Sequence, residues 1–232
     1  MKKHIWIASA IVVSFAAVFA IPRLMGAAHQ DQDEELRRLK GNAFAKGGLR
    51  AAAQVSGSYR QTMSPHGERD ASTLEFLVKN SELIVIGQIR RNRAWLNKAG
   101  DTITTDYRVA VERALKGHAK PGEQMTMSVL GGRVAFPGGS WAQIDTPGMV
   151  PPLDNQSFIL FLEPSDFGPS GEERAAAQGK IYMPAFASIG MYRIDSGVIN
   201  PKTRPDHPLS KAYRGKAESA LVNDVLDIIE KR

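Results

Sequence analysis

The chain contains no cysteine in its 232 residues. This absence excludes disulfide bonds, thiol nucleophiles, cysteine-based zinc sites and iron–sulfur clusters. A domain without disulfide bonds must be stabilised by its own hydrophobic core, and about 160 residues can bury roughly two thirds of their unfolded surface. Covalent cross-links are therefore not needed for a chain of this size.

The sequence also lacks the patterns of common catalytic and ion-binding sites. None of its five histidines has a partner at the i, i+4 spacing of a helical metal site. No serine lies in a G-x-S-x-G motif, and neither Gly131-Gly132 nor Gly138-Gly139 belongs to a phosphate-binding loop. The acidic residues do not follow the calcium-loop pattern. We therefore expect no catalytic centre, no metal ion and no cofactor.

A concentrated basic surface is absent as well. The net charge of +6 includes Lys2, Lys3 and Arg23 of the N-terminal segment, so the remainder carries only +3. Its charges are interspersed, whereas nucleic-acid-binding proteins concentrate Lys and Arg on one face. The densest basic cluster, Arg90 with Arg91 and Arg93, is interpreted as a solvated strand end. We expect no nucleic-acid partner.

The N-terminus has the pattern of an export signal. Lys2 and Lys3 precede 17 uncharged, mostly apolar residues at 5–21, and small residues end at Ala28. A helix of this length is also almost long enough to span a bilayer. Residues 1–28 are therefore predicted to be a signal peptide or, if uncleaved, a membrane anchor. The remainder is predicted to be exported: periplasmic, secreted or held at the outer face of the cytoplasmic membrane.

Two regions are predicted after this segment. Residues 29–70 have few large apolar side chains and many Gly, Ala and Ser, which is typical of a flexible tether. Residues 71–232 are predicted to fold. This domain should begin with a short helix capped by Ser72 and end with an amphipathic helix from about Lys216.

Between these helices, β-rich runs alternate with turn residues. Strands are predicted at 83–95, 103–115, 125–129, 157–162, 181–187 and 188–195. The clearest alternation sets an apolar face against a solvent-facing polar one: Ile103, Tyr107, Val109 and Val111 against Thr104, Asp106, Arg108 and Glu112. The sequence predicts a mainly β domain, a small antiparallel OB-like barrel, with a β-sandwich as the alternative.

The strands at 82–89, 106–117, 125–129 and 157–162 resemble the netrin-like domain. They are similar to the barrel shared by tissue inhibitors of metalloproteinases and their bacterial relatives, most specifically where one strand ends in Leu115-Lys116-Gly117. The resemblance covers residues 82–162 and implies an OB-like barrel. Inhibition in that family depends on an N-terminal cysteine that chelates the protease zinc, and this chain has no cysteine. The resemblance therefore implies a fold and not that activity.

The segment 131–156 is the predicted binding site. It is rich in Gly and Pro, which predicts an irregular loop, and it contains Arg133, Phe136 and Trp141. Long loops on rigid barrels often bind partners, and aromatic residues with arginine are the types that anchor interfaces. We predict that these three residues contact a protein partner. The alternative is that Phe136 and Trp141 close one end of the barrel.

The main functional hypothesis is a non-enzymatic binding or adaptor module outside the cytoplasm, acting on an envelope or secreted protein. A second hypothesis is OB-type binding of an oligosaccharide or single-stranded nucleic acid, although the outward positions of strand 103–115 do not interleave basic and aromatic residues. A third is a hydrolase that uses His207, oriented by Asp206, with loop carboxylates. A fourth is inhibition of a protease through a segment other than an N-terminal cysteine.

Overall fold

The computed structural model describes residues 32–63, 71–146, 151–165 and 180–231. The predicted export segment, residues 1–28, lies outside these ranges. Within them, no helix is both long and apolar enough to cross a membrane.

Four α-helices, ten strands and one short 3-10 helix (Ala187–Gly190) make up the described elements. The helices are α1 (32–56), α2 (Leu74–Asn80), α3 (Pro208–Tyr213) and α4 (Glu218–Glu230). The strands are β1 (Ser58–Thr62), β2 (Leu83–Leu96), β3 (Ile103–Lys116), β4 (Gln124–Leu130), β5 (Gly132–Ala135), β6 (Trp141–Asp145), β7 (Gln156–Pro164), β8 (Ile181–Pro184), β9 (Met191–Asp195) and β10 (Val198–Pro201).

Five of the strands close into a barrel. They pair in the order β2–β3–β4–β8–β7, and β7 pairs again with β2. This order is that of the five-stranded Greek-key barrel of OB-folds, so the predicted OB-like architecture is confirmed. One pairing, β4 with β8, is parallel rather than antiparallel. Bulges interrupt the long β2–β3 ladder, the last of them between Arg91 and Arg93, and such bulges bend strands around barrel corners.

The two faces of β3 differ from the prediction in two respects. Tyr107, Val109 and Val111 lie in the barrel interior, as predicted, whereas Ile103 is buried in the cluster of α1 and the small sheet. Thr104 and Asp106 were expected to face solvent, but their exposed fractions are 7% and 0%. Asp106 accepts hydrogen bonds from Trp95 Nε1 (2.8 Å) and Ser128 Oγ (2.6 Å). Alternation identified the strand but not the burial of its polar face.

Helices cover the outside of β2 and β7. The helix predicted after Ser72 begins one residue later, because the Thr73 side chain accepts a hydrogen bond from the Phe76 backbone N–H. The C-terminal amphipathic helix is present as α4, and its Leu221 is fully buried. Both helices pack on one cluster that includes Phe161 of β7.

The prediction that residues 29–70 form a flexible tether is wrong for the part that the structure describes. Residues 32–56 are helical, and β1 pairs with β6 in a second sheet of order β1–β6–β5. Leu49 and Ala53 of α1 are fully buried against this sheet. The Leu49 N–H also donates to the Gly100 carbonyl in the β2–β3 loop, at 2.7 Å. The alanine-rich composition that suggested a spacer instead allows close packing.

Candidate functional site

The described part of the segment 131–156 forms a hairpin, so the prediction of an irregular loop is wrong for residues 132–145. Strands β5 and β6 are antiparallel, with Arg133 opposite Gln143 and Ala135 opposite Trp141. Pro137, Gly138 and Gly139 lie at the hairpin tip, and Gly131 and Gly132 lie at its base. Residues 147–150 lie outside the described ranges, and residues 151–155, with Pro151 and Pro152, form neither helix nor strand.

Gly131 and Gly132 direct this hairpin across one end of the barrel. Their φ angles are 101° and 126°, in the region that favours glycine. A Cβ atom at Gly132 would lie 2.1 Å from Thr105 Oγ1. The Thr105 hydroxyl donates to the Gly131 carbonyl at 2.7 Å, which fixes the bend against β3. Glycine therefore allows the chain to leave β4 and enter β5 in contact with the barrel.

Arg133 and Trp141 lie together on the outer face of the small sheet. The Arg133 Cζ atom is 3.9 Å from the centroid of the Trp141 ring. Arg133 is exposed and Trp141 is half-buried. Stacking on an aromatic ring orients a guanidinium while its N–H groups stay available for hydrogen bonds. The structure thus brings together two of the three predicted site residues.

Phe136 lies on the other side of the sheet. Its exposed fraction is 6%, and it belongs to the cluster formed by α1 and the small sheet, with Leu49 and Ile144. The Arg50 guanidinium lies 5.3 Å from its ring centroid. Phe136 is therefore a packing residue between helix and sheet, and it does not share the exposed surface of Arg133 and Trp141.

An ion pair borders this surface. Arg60 of β1 hydrogen-bonds to Oδ2 of Asp145, and Gln143 Nε2 donates to Oδ1 at 2.8 Å. The hydrogen bond from Arg60, followed by that from Gln143, holds the pKa of Asp145 below its usual range. Both carboxylate oxygens have partners, so Asp145 is a compensated charge.

A groove of about 280 Å³ separates the hairpin from the open end of the barrel. Its lining includes Arg91 of β2, Tyr107 and Val129 of the barrel, and Arg133 and Asp145 of the hairpin. We call this feature the barrel-end groove. It joins basic side chains of two sheets at one small cavity.

Tyr107 supplies a hydroxyl to the barrel-end groove. Burial raises the pKa of this hydroxyl, while the charge of Arg91 lowers it and that of Asp154 raises it. The hydroxyl is therefore a neutral hydrogen-bond donor at neutral pH. Arg91 lies directly opposite Tyr107 in the β2–β3 ladder, beside a bulge. The sequence indicates a solvated strand end for Arg91 and a core position for Tyr107. It does not show that the two residues are neighbours, because bulge positions and strand register cannot be read from one sequence.

The face on which OB barrels bind oligonucleotides and oligosaccharides is buried over part of its length in this protein. That face is formed by the second and third barrel strands, here β3 and β4. Thr104, Asp106, Thr126 and Ser128 are at most 7% exposed, whereas Arg108 and Gln124 on the same face are exposed. A second arginine–tryptophan stack, Arg93 on Trp95 at 4.0 Å, lies at its border.

His207, the residue considered for hydrolysis, caps a helix. It is buried, and its Nδ1 accepts a hydrogen bond from the Leu209 N–H at the start of α3, at 3.3 Å. Asp206 is exposed and lies 3.9 Å from Arg204. In the described ranges, no group of three or more His, Asp or Glu residues is placed to hold a metal ion.

The chain matches no protein-family model, and a search of curated proteins finds no matching relative. The class that the geometry defines is an OB-type barrel with an added three-stranded sheet across one end.

Proposed function

We propose that the protein is a non-enzymatic module that binds another protein outside the cytoplasm through the outer face of its small sheet. The observation that carries this proposal is the stacking of Arg133 on Trp141 at 3.9 Å. Trp and Arg are enriched among the residues that dominate binding energy at protein interfaces. A stacked arginine also has less conformational freedom to lose when a partner binds.

The support beneath this face is rigid. Strand β6 is hydrogen-bonded on both sides, to β1 and to β5. On its inner side, Ala142 and Ile144 pack in the cluster that contains Leu49 of α1. A surface held in this way is preorganised, which favours binding without a change of shape.

The size of the adjacent barrel-end groove favours a protein partner. Cavities that enclose small-molecule ligands are typically about 300–1,000 Å³ and mostly apolar. This groove has about 280 Å³, and its lining includes Arg91, Arg133 and Asp145. It suits one or two side chains that project from a larger partner better than a free cofactor.

The extracytoplasmic location is part of the proposal and is supported by the sequence of residues 1–28. If that segment stays attached, helix α1 would follow it closely and hold the barrel near the membrane. The netrin-like resemblance remains a hypothesis, supported at the level of fold by the OB-type strand order. Oligosaccharide or single-stranded nucleic acid binding has less support, because the face that OB barrels use is buried at Asp106 and Ser128.

Site-specific photocrosslinking in intact envelopes tests the proposal. A photoreactive residue at Ala135, which is exposed opposite Trp141 on β5, should give a discrete crosslinked protein. Trp141→Ala should reduce this product about tenfold, the loss typical of a residue that dominates an interface.

Two controls accompany this experiment. The photoreactive residue at Lys98, in the β2–β3 loop, should give no such product. Phe76→Ala removes an aromatic residue that is 40% exposed on α2 and should leave the product unchanged. The proposal fails if residue 135 gives no product, or if the product persists in full in the Trp141→Ala variant.

A further inference from the structure

We propose that the barrel-end groove captures a single carboxylate, an aspartate or glutamate side chain in an extended segment of the protein partner. This inference rests on the proposed function and names the chemistry that the partner must present. Its basis is the grouping of donors around one cavity.

Two arginines line the groove without an ion pair. Arg91 reaches it from β2 and Arg133 from β5. Within the described residues, neither guanidinium lies within salt-bridge distance of a carboxylate. The one carboxylate in the lining, Asp145, already accepts from Arg60 and Gln143. Among the described residues, both guanidinium groups therefore keep N–H donors for a ligand, and a planar guanidinium matches a carboxylate in geometry.

Tyr107 adds a third donor. Its side chain is almost completely buried, yet it lines the groove. No hydrogen bond joins its hydroxyl to another described residue, and the hydroxyl is not among the buried atoms without a partner, so it is accessible from the groove. It can exchange water for a ligand oxygen and donate to it. A carboxylate in the groove would accept from this hydroxyl and from the two arginines.

The acidic residues near the groove favour an isolated carboxylate over a polyanion. Asp145 is in the lining, and Asp154 accepts a hydrogen bond from the Arg91 backbone N–H at 2.6 Å. A nucleic acid carries a charge on every nucleotide and would bring neighbouring phosphates towards these carboxylates. One acidic residue flanked by apolar residues avoids this repulsion, and its neighbours can contact Trp141. Charge complementarity therefore favours a peptide segment.

Fluorescence anisotropy with defined peptides tests this assignment on the purified full chain. One probe is a C-terminally amidated pentapeptide with a single glutamate between two leucines, labelled with a zwitterionic rhodamine. The matched probe has glutamine instead. We expect the glutamate peptide to bind about tenfold more tightly, because charge-assisted hydrogen bonds are roughly twice as strong as neutral ones. The difference should shrink as salt is added.

Single variants show which residues cause the preference for the glutamate peptide. Arg91→Gln and Arg133→Gln should each remove most of the preference for glutamate, and Tyr107→Phe should reduce it less. Arg204→Gln is the matched control, since Arg204 is 68% exposed and does not line the groove. Equal binding of the two peptides, no binding of either, or an unchanged preference in both arginine variants contradicts the inference. Tighter binding of a thymidine oligonucleotide or of phosphatidylglycerol vesicles at the same arginines would assign the groove to phosphate and also contradict it.

The two proposals can fail separately. If Trp141→Ala abolishes the crosslinked product while Arg91→Gln and Arg133→Gln leave it intact, the protein-binding face stands and the carboxylate site is wrong. If the glutamate peptide binds through both arginines but the crosslinked product does not depend on Trp141, the anion site stands and the proposed partner surface is wrong.

Discussion

Arg133 and Trp141 form a diagonal pair across the β5–β6 ladder, with the guanidinium carbon 3.9 Å from the ring centroid. Diagonal neighbours in a sheet are within reach of long and aromatic side chains. The pair therefore connects the two strands that carry the proposed binding face, and its strength can be measured in the free protein.

A double-mutant cycle should detect this contact. We expect Arg133→Ala and Trp141→Ala to be coupled by about 0.5–1 kcal/mol in the free energy of unfolding, as for exposed cation–π pairs. Urea unfolding of the two single variants and the double variant gives the coupling energy. Arg204→Ala with Trp141→Ala is the control pair and should be additive. Additive effects for Arg133 and Trp141 would contradict the stacked geometry.

Leu49 tests whether α1 belongs to the folded domain. Leu49 is fully buried, whereas Leu39 of the same helix is 46% exposed. We expect Leu49→Ala to lower the free energy of unfolding by about 2–5 kcal/mol, because it leaves a cavity between α1 and the small sheet. Leu39→Ala should change it by less than about 0.5 kcal/mol. Equal, small effects in urea unfolding would mean that residues 32–56 do not pack.

The barrel itself was predictable from sequence because its signals are local. Leu83–Leu96, Ile103–Lys116 and Gln124–Leu130 have β-rich composition or alternation over most of their length. Gly117, at the end of β3, marks one strand boundary. The order of five such strands was enough to favour an OB-type barrel over a sandwich.

The small sheet was not predictable, because its pairings are not local. Strand β1 pairs in parallel with β6, and Tyr59 lies opposite Ala142, far along the chain. The burial of α1 depends on this sheet, so a composition rich in alanine was mistaken for a tether. For the same reason, the sequence predicted only part of the site. Arg133 and Trp141 could be recognised by their residue types. Arg91 lies in the same groove as Arg133 only because the chain bends at Gly132.

Gly132 tests that bend. A Cβ atom there would lie 2.1 Å from Thr105 Oγ1, whereas Gly138, also at positive φ, has open space around its Cβ direction. We expect Gly138→Ala to lower the free energy of unfolding by about 1–2 kcal/mol through backbone strain alone. Gly132→Ala should have a clearly larger effect, about 3 kcal/mol or more, because overpacking adds to the strain. Urea unfolding measures both. Equal losses would show that the hairpin does not press against β3.

Tyr192 allows a test by pH. Burial, followed by the neighbouring Tyr213, raises the pKa of Tyr192 above its ordinary value, and burial also raises the pKa of Tyr213. An unfolded tyrosine ionises near pH 10. Above that pH the unfolded chain loses protons that the folded chain keeps, so unfolding becomes more favourable. The stability is fully present below about pH 10 and should fall above it by about 1.4 kcal/mol per pH unit for each such tyrosine.

Phenylalanine variants separate the two tyrosines. The Tyr192 hydroxyl is buried and has no hydrogen-bond partner in the described structure. Tyr192→Phe should therefore be neutral or slightly stabilising at pH 7, because it removes an unsatisfied polar group. It should also flatten the loss of stability above pH 10. Tyr213 instead donates to Asp224 at 2.8 Å, so Tyr213→Phe should cost about 1 kcal/mol at pH 7. Urea unfolding at pH 7 and pH 10.5 distinguishes these outcomes, and a destabilised Tyr192→Phe at pH 7 would mean that its hydroxyl has a partner.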